Sequence, residues 1–409
     1  MNKLHTFILF SLIFTTVSAQ ESLFNMDAQL RSRGEYNNGY LSQRGEGVSP
    51  GVFVNERARL GIGYERYNLE LKASVQHAGI WGQDALKERS GRVAMNECWA
   101  KLNFGEGFFA QVGRQQLSYD DERILGASDW DVAGNWHDAL RLGYEASTHK
   151  AHAVFALNQN KETRDFYYSG TMPYKMMQTL WYHFQPRHLP FSISAHLVTT
   201  GYEAGSEGQG KTKFMHTVGT DINYHPGNLT LHTSGYYQFG KIADGRNVDA
   251  YLLNLNALLA VTRNVSLTLG YDYSSGNHKG TGQNAFDPLF GTHHKFFGAM
   301  DYFTGRLSYG LQDLQAGTQV HITKKINAKA DFHYFRTAPK LGYETRHLGQ
   351  EVDCQFSARL QKDIELTAGY SFMLGTSDIE YFKGGNHSSW QDWGWVTINI
   401  YPRLFQTRW

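Results

Sequence analysis

Apolar and polar residues alternate one by one along most of this chain. The segment after Leu23 shows the two sets: Phe24, Met26, Ala28 and Leu30 on one side, and Asp27, Gln29, Arg31 and Arg33 on the other. Successive residues of a β-strand point to opposite sides, whereas 3.6 residues per helical turn would mix the two sets. The pattern therefore predicts strands that each have one apolar and one polar face.

About eighteen such segments follow one another, each about 8–12 residues long, which is the length that a tilted strand needs to cross a bilayer. Their starts lie near Phe24, Arg57, Asn68, Asn96, Phe109, Asp138, Lys150, Met177, Phe191, Phe214, Leu229, Val248, Val265, Leu311, Ile326, Glu351, Ile364 and Trp393. The sequence thus predicts an all-β fold, a transmembrane antiparallel β-barrel of about 18 strands.

The connections between these segments alternate between short and long. His225–Asn228 and Gln361–Asp363 are short, whereas Gln116–His137 and Ser274–Tyr309 are long. Bacterial outer-membrane barrels have short periplasmic turns and longer extracellular loops, which places both termini in the periplasm. A soluble β-sandwich is the alternative fold, but it gives no reason for this alternation.

The first residues predict secretion. Lys3 precedes the apolar run Phe7–Phe14, and Val17–Ala19 has the small residues of a cleavage site, so we expect a signal peptide at 1–19 and one barrel domain at 20–409. Beyond this point no apolar run approaches the ~18 residues that a membrane-spanning helix needs. The expected location is the outer membrane of a Gram-negative bacterium.

Charged residues on the polar faces are the candidate functional residues. The basic ones cluster on the first six strands: Arg31, Arg33, Arg57, Arg59, Lys72, Lys101 and Arg141. Acidic residues lie among them: Asp27, Glu35, Glu70 and Glu97. They form either a selectivity surface facing a water-filled lumen or a ladder of ion pairs that braces neighbouring strands. The excess of basic residues on the early strands favours anion selectivity.

Tryptophans have two interpretations. Trp81, Trp130, Trp136, Trp390 and Trp393 lie near strand ends, where a membrane-interface girdle is expected. Trp99, Trp181 and Trp395 have the parity of the polar face and are candidates for stacking against sugars.

The sequence predicts no metal, cofactor or enzyme active site. The acidic stretch Asp120–Arg123 does not have the spacing of a calcium loop, and no catalytic or phosphate-binding motif is present. Cys98 and Cys354 are expected to be unpaired, because they fall on strands that lie well apart around the barrel.

Two stretches resemble the alginate-export family of outer-membrane proteins. They are Gly113–Leu142, which contains GRQ, ERILG and DW, and Asn284–Phe303, which contains HKFFGAMD. The resemblance implies an eighteen-stranded monomeric barrel that exports a polyuronate, with Arg114, Arg123 and Arg141 as basic residues of the pore. The alternation, in contrast, puts Arg114 on the lipid side unless a β-bulge intervenes.

The function expected from these observations is export or diffusion of an anionic saccharide, alginate-like, or of small anions. Two alternatives remain open: a non-specific general porin, and a barrel enzyme acting on lipid. Expected partners are outer-membrane lipid, the barrel assembly machinery and an anionic polysaccharide, with no nucleic acid. The loops Gln116–His137 and Ser274–Tyr309 are expected to narrow the lumen, with Arg123 beside Arg57, Arg59 and Arg141.

Overall fold

The computed structural model describes residues 21–83, 93–162, 165–168, 170, 173–277, 282–338 and 346–409. The predicted signal peptide at 1–19 lies outside these residues.

The strands follow the predicted order closely. They are β1 Leu23–Asn38, β2 Gly51–Arg66, β3 Leu69–Ile80, β4 Val93–Gly105, β5 Phe108–Gln115, β6 His137–Glu145, β7 His149–Leu157, β8 Met176–Phe184, β9 Phe191–Glu203, β10 Thr212–Tyr224, β11 Leu229–Lys241, β12 Asn247–Ala260, β13 Val265–Ser274, β14 Leu311–Thr323, β15 Ile326–Arg336, β16 His347–Gln361, β17 Ile364–Gly375, β18 Gln391–Ile400 and β19 Arg403–Arg408. The largest difference is at β2, which begins at Gly51 rather than near Arg57. The lengths of the connections alternate as expected.

Each strand from β1 to β17 pairs antiparallel with the next, and β1 closes the barrel by pairing with β2 on one side and with β18 and β19 on the other. β18 and β19 are two halves of one barrel strand. They are separated at Pro402, which has no N–H for the ladder, and the register of β1 shifts opposite this break, between Met26 and Asp27. The prediction of an eighteen-stranded antiparallel barrel is confirmed.

Burial separates the two faces of each strand. On β2, Leu60 and Ile62 are exposed on the outer wall, whereas Arg57 between the outward-facing Glu56 and Ala58 is buried inside. Cys98 and Cys354 are exposed and unpaired, as expected. Among the described residues, no helix has both the length and the apolar character required to cross a membrane.

The barrel has a packed interior near its extracellular half. Residues 116–136, which we call the first lumen loop, and residues 275–277 with 282–310, the second lumen loop, supply most of the buried apolar side chains that do not belong to strands. Among them are Leu117, Tyr119, Ile124, Leu125, Phe286, Met300, Tyr302 and Phe303. A lumen of about eighteen strands is wide enough to hold such loops. The described helical segments are short. They are the 3₁₀ turn His293–Lys295 within the second lumen loop and the seven-residue helix α1 Ser377–Lys383, capped by Thr376.

Candidate transport path

The first lumen loop crosses the barrel from one wall to the other. At one end, Asp120 accepts hydrogen bonds from Trp181 Nε1 of β8 at 3.0 Å and from Ser194 Oγ of β9 at 2.6 Å. Near the other end, Asp129 Oδ1 accepts from Arg57 Nη2 of β2 at 2.8 Å. Because β1 and β2 lie about half a turn around the barrel from β9, the loop spans roughly the diameter of the lumen.

Three of the predicted pore arginines hold this loop. Arg31 donates to the carbonyl oxygens of Asp129, Trp130 and Asp131, the last at 2.7 Å. Arg33 donates to the Trp130 carbonyl at 3.0 Å, and its guanidinium stacks over the Trp130 ring at 4.1 Å. These contacts hold the loop, and each guanidinium also has one carboxylate beside it: Asp129 at 3.5 Å for Arg31 and Glu35 at 2.8 Å for Arg33.

The other predicted basic residues on strands face the interior. Arg59 donates to Gln76 Oε1 at 2.7 Å, and Arg141 donates to Gln111 Oε1 at 2.5 Å. Lys72 pairs with Glu97 at 2.5 Å and Lys101 pairs with Glu70 at 3.2 Å. The wall therefore contains both arrangements considered from the sequence: ion-paired lysines that bridge strands, and arginines with neutral partners.

The structure contradicts the predicted lumen position of Arg114. It shares the outer face of β5 with the exposed Val112, while Gln111 and Gln115 point inward. Both its Nε and its Nη2 donate to the carboxylate of Asp138, at 2.8 and 2.9 Å. No bulge interrupts the pairing of β5 with β4 at this position, so the alternation was the correct guide and the motif was not.

The expected position of Arg123 beside the other arginines is also wrong. Its side chain is only 2% exposed, and Nη2 donates to Asp272 Oδ1 of β13 at 2.8 Å. The guanidinium packs over the Phe296 ring at 3.6 Å. Arg123 therefore joins both lumen loops to the wall opposite Arg57, and the buried acidic partner on β13 explains why it lies there.

The two lumen loops pair with each other through their backbones. Gly126 N donates to the Phe290 carbonyl, and Phe290 N donates to the Ile124 carbonyl, both at 3.0 Å. A Cβ on Gly126 would clash with Thr292 Oγ1, and one on Gly291 would clash with the Arg123 carbonyl oxygen. Glycine at both positions thus permits the close approach, and the two family-like motifs prove to be the two sides of one contact.

Glu122 adds side-chain contacts to this pairing. It accepts hydrogen bonds from Lys295 Nζ at 2.5 Å, Thr292 Oγ1 at 2.8 Å and Ser118 Oγ at 2.5 Å. Burial acts to raise the pKa of Glu122, but these donors outweigh it and lower the pKa to about 2. Glu122 is therefore ionised at neutral pH and holds the loops together.

The second lumen loop rests on acidic side chains of β16. Glu351 Oε1 accepts from Met300 N at 2.8 Å, and Asp353 Oδ2 accepts from Ala299 N at 3.2 Å. His333 of β15 lies between Asp313, at 2.9 Å, and Asp353, at 3.6 Å. This acidic stretch of wall lies three to five strands from the basic side chains of β1 and β2, so charges of both signs line neighbouring parts of the lumen.

Aromatic rings fill the space between the loops and β18. Trp130 stacks on His294, with ring centroids 4.1 Å apart, and meets Trp395 edge-on at 4.9 Å. Trp393 is completely buried, stacks on Tyr40 and donates from Nε1 to Glu35 at 3.0 Å. Trp130 and Trp393 are therefore interior residues, and their assignment to the interface girdle is wrong.

The predicted interior positions of Trp181 and Trp395 are confirmed by their burial, and Trp99 lies on the inward face with Glu97, to which it donates at 3.1 Å. The alternation alone could have placed Trp393, because it is two residues from Trp395 on one strand. The sequence held no comparable signal for His294 or Trp130, which lie on loops.

Two cavities lie on either side of the Trp130–His294 pair. The one toward the extracellular end measures about 540 Å³ and is lined by Arg33, Asn55, Asp131 and Asp301 among others. The one toward the periplasmic end measures about 310 Å³, with Lys295, Lys329 and Asp331 in its wall. Cavities of this size hold single small molecules; His294 lines both of them, and we call the Trp130–His294 pair the aromatic neck.

A serine–histidine pair in the lumen lacks the connectivity of a hydrolase triad. His183 Nδ1 lies 2.8 Å from Ser194 Oγ, but Ser194 donates to Asp120, and Asp120 also contacts His196 at 2.8 Å. In a triad the histidine stands between serine and carboxylate, whereas here the serine stands between histidine and carboxylate. This arrangement serves to hold the first lumen loop.

Comparisons with known proteins agree with this geometry. The profile of the alginate-export family matches residues 23–374. Among solved structures, the chain is similar to OpdL of Pseudomonas aeruginosa, with a TM-score of 0.66 at 13% identity over 93% of this chain and 99% of that chain. For OccAB1 of Acinetobacter baumannii the TM-score is 0.63 at 11% identity, over 93% of this chain and 97% of that chain. For OpdK of Pseudomonas aeruginosa, solved with vanillate, the TM-score is 0.60 at 10% identity, over 94% of this chain and 99% of that chain. No curated protein sequence matches significantly.

Proposed function

The chain belongs to the alginate-export family, whose profile covers most of it, and from this premise we propose that it is a passive outer-membrane channel for small anions, including uronate-type saccharides. The family and the fold are those of Gram-negative outer-membrane transport channels, not of enzymes. The choice of anions rests on one observation: a group of interior arginines on β1, β2 and β6 has too few carboxylate partners to neutralise it. Its members are Arg31, Arg33, Arg57, Arg59 and Arg141.

The partners of these arginines leave a positive excess. Arg31 and Arg57 share one carboxylate, that of Asp129, and Arg33 pairs with Glu35. The hydrogen bonds that Arg59 and Arg141 make to side chains are to neutral amides. Loops that displace water from the lumen lower the local dielectric, and a cation there attracts a passing anion far more strongly than on an open wall.

The aromatic neck supports a ring-shaped solute. The Arg33 guanidinium packs over the face of the Trp130 ring, and Trp395 meets the same ring edge-on. Because Arg33 and His294 cover the two faces of Trp130, a saccharide ring would lie against Trp395, which lines the 310 Å³ cavity together with Lys295 and Lys329. The vanillate in the OpdK structure is likewise a ring that carries a carboxylate, and it supports a solute of this kind here.

Planar-bilayer recordings of the purified protein test the proposal. In a KCl gradient the reversal potential should report preference for chloride, and Arg59→Gln should reduce that preference. Arg114→Gln is the matched control, since it removes one guanidinium from the outer wall. The triple change of Arg57, Arg59 and Arg141 to Glu should reverse the selectivity. Equal reversal potentials for the Arg59 and Arg114 variants would refute the role of the interior arginines in selectivity.

A non-specific porin is the second candidate, and the ion-paired lysines Lys72 and Lys101 favour it, because paired charges select weakly. The same recordings distinguish the two, since such a porin would show little ion preference and no block by galacturonate.

A barrel enzyme acting on lipid predicts release of fatty acid from phospholipid vesicles by the purified protein. We further propose that the protein is a monomer, is inserted by the barrel assembly machinery, is surrounded by outer-membrane lipid and has an anionic polysaccharide as cargo.

A further inference from the structure

The first lumen loop meets the barrel wall at a second place, where three potential metal ligands converge. Asp121 of the loop, Asp221 of β10 and His232 of β11 each bring one ligand atom, and these atoms lie within 4.8 Å of one another. His232 Nε2 is 2.5 Å from Asp221 Oδ2 and 3.9 Å from Asp121 Oδ2. We propose that these residues form a site for a first-row divalent cation such as Zn²⁺, which ties the first lumen loop to the wall.

Each carboxylate is oriented as a metal ligand would be. Asp221 Oδ1 accepts from Asn223 Nδ2 at 2.7 Å, and Asp121 Oδ1 accepts from the backbone N of Arg123 at 2.9 Å. In both residues the other oxygen, Oδ2, is turned toward His232. Such hydrogen bonds from outer partners fix the direction of metal-ligating carboxylates.

The site also has buried polar atoms without hydrogen-bond partners. Asp121 Oδ2 has none, although Arg123 Nε lies 3.7 Å from it, and neither have the hydroxyls of Ser234 and Tyr236, residues that are 2% and 4% exposed. Ser234 stands directly opposite Asp221 in the β10–β11 ladder. Buried polar groups are rarely left unpaired, so these atoms point to a ligand.

Charge and distance suit a divalent cation. Asp121 and Asp221 carry two negative charges, His232 is neutral when it binds a metal, and the guanidinium of Arg123 that faces Asp121 is shared with Asp272. Ligands about 2.1 Å from a tetrahedral Zn²⁺ lie about 3.4 Å apart. The contact between His232 and Asp221 must therefore open by about 1 Å, and that between His232 and Asp121 must close slightly. An imidazole with two carboxylates suits Zn²⁺ or Mn²⁺ better than Ca²⁺.

Zinc titration of the tag-free, EDTA-treated full-length barrel in detergent tests the site by calorimetry. One Zn²⁺ should bind per chain, and His232→Gln and Asp121→Asn should each weaken binding by at least about 10- to 100-fold, the loss that even outer-shell changes cause. His225→Gln, in the exposed turn between β10 and β11, is the matched control and should bind as the unaltered protein does. Asp121→Asn leaves the barrel wall unchanged, so its result does not depend on insertion of a mutated strand.

Each alternative result contradicts part of the proposal. Absence of stoichiometric binding would mean that His232 and Asp221 form only an ion pair. Binding that is lost in His225→Gln would place the ion at the turn. Unchanged affinity in Asp121→Asn would mean that the ion does not hold the loop. As an independent readout, Zn²⁺ should reduce current fluctuations of the open channel, and EDTA should restore them.

Discussion

Glu122 and Lys295 join the two lumen loops through an ion pair in which Oε2 and Nζ are 2.5 Å apart. Both residues belong to stretches that resemble the alginate-export family, yet 173 positions separate them in the chain. The pair lies beside the backbone pairing of the loops and close to the Trp130–His294 stack, because Lys295 directly follows His294. The neck is therefore held in place by contacts between loops as well as between loop and wall.

Glu122→Gln should loosen this contact. The amide keeps the shape of the side chain but loses the charge that attracts Lys295, and it cannot accept at both former oxygens. We expect larger current fluctuations and a higher mean conductance in bilayer recordings. Glu207→Gln is the control, since Glu207 pairs with Lys161 at 3.6 Å on an exposed loop. An identical current trace for the two variants would contradict the role of Glu122.

The pH dependence of the same contact has a defined direction. The pKa of Glu122 falls from 4.5 to about 2 when the loops are paired, so the contact contributes fully above pH 4.5. As the pH falls from 4.5 toward 2, the separated loops take up a proton that the paired loops do not, and the contribution is lost. Fluctuations should therefore grow only below about pH 4.5, and Glu122→Gln should remove this transition. A transition above pH 5 would require another group.

Removal of residues 120–128 should enlarge the pore. This segment contains Arg123, Ile124 and Leu125, which fill the lumen, as well as the contact of Asp120 with β8 and β9. We expect a conductance increase of at least about twofold, since the neck is replaced by open lumen, and a weaker ion preference. Deletion of residues 242–245, at the extracellular end between β11 and β12, serves as the comparison. If both deletions leave conductance unchanged, the neck lies elsewhere.

Trp393→Ala should destabilise the barrel. The ring is fully buried against Tyr40 and Trp130, and the change removes the hydrogen bond to Glu35. Replacing a buried tryptophan with alanine typically costs about 3–5 kcal/mol. Unfolding in urea, followed by the electrophoretic shift of the folded barrel, measures the loss. Trp390→Ala is the control, because Trp390 is half exposed, and a comparable loss there would show that burial is not the cause.

The strands and the two faces of each strand could be predicted because they depend on local pattern. Residues on one face of a strand are two positions apart. The alternation of apolar and polar residues therefore shows directly which side chains face the lipid and which face the lumen. For Arg114 this pattern gave the correct outer position where the motif gave the wrong one. The alternation of short and long connections in the same way predicted closure with an even number of strands.

The tertiary structure alone decided what fills the lumen. The inward direction of Arg31 and Arg57 follows from the alternation of apolar and polar residues. Their partner Asp129 lies on the first lumen loop, whose sequence has no such alternation, and the path of this loop depends on contacts with strands half a barrel away. Arg123 shows the difference most clearly. Its charge favoured a position beside Arg57, Arg59 and Arg141, whereas in the structure it pairs with the buried carboxylate of Asp272 on β13. A sequence pattern records which side of a strand faces water, but the partner of a loop residue depends on long-range packing and charge, which only the closed barrel brings together.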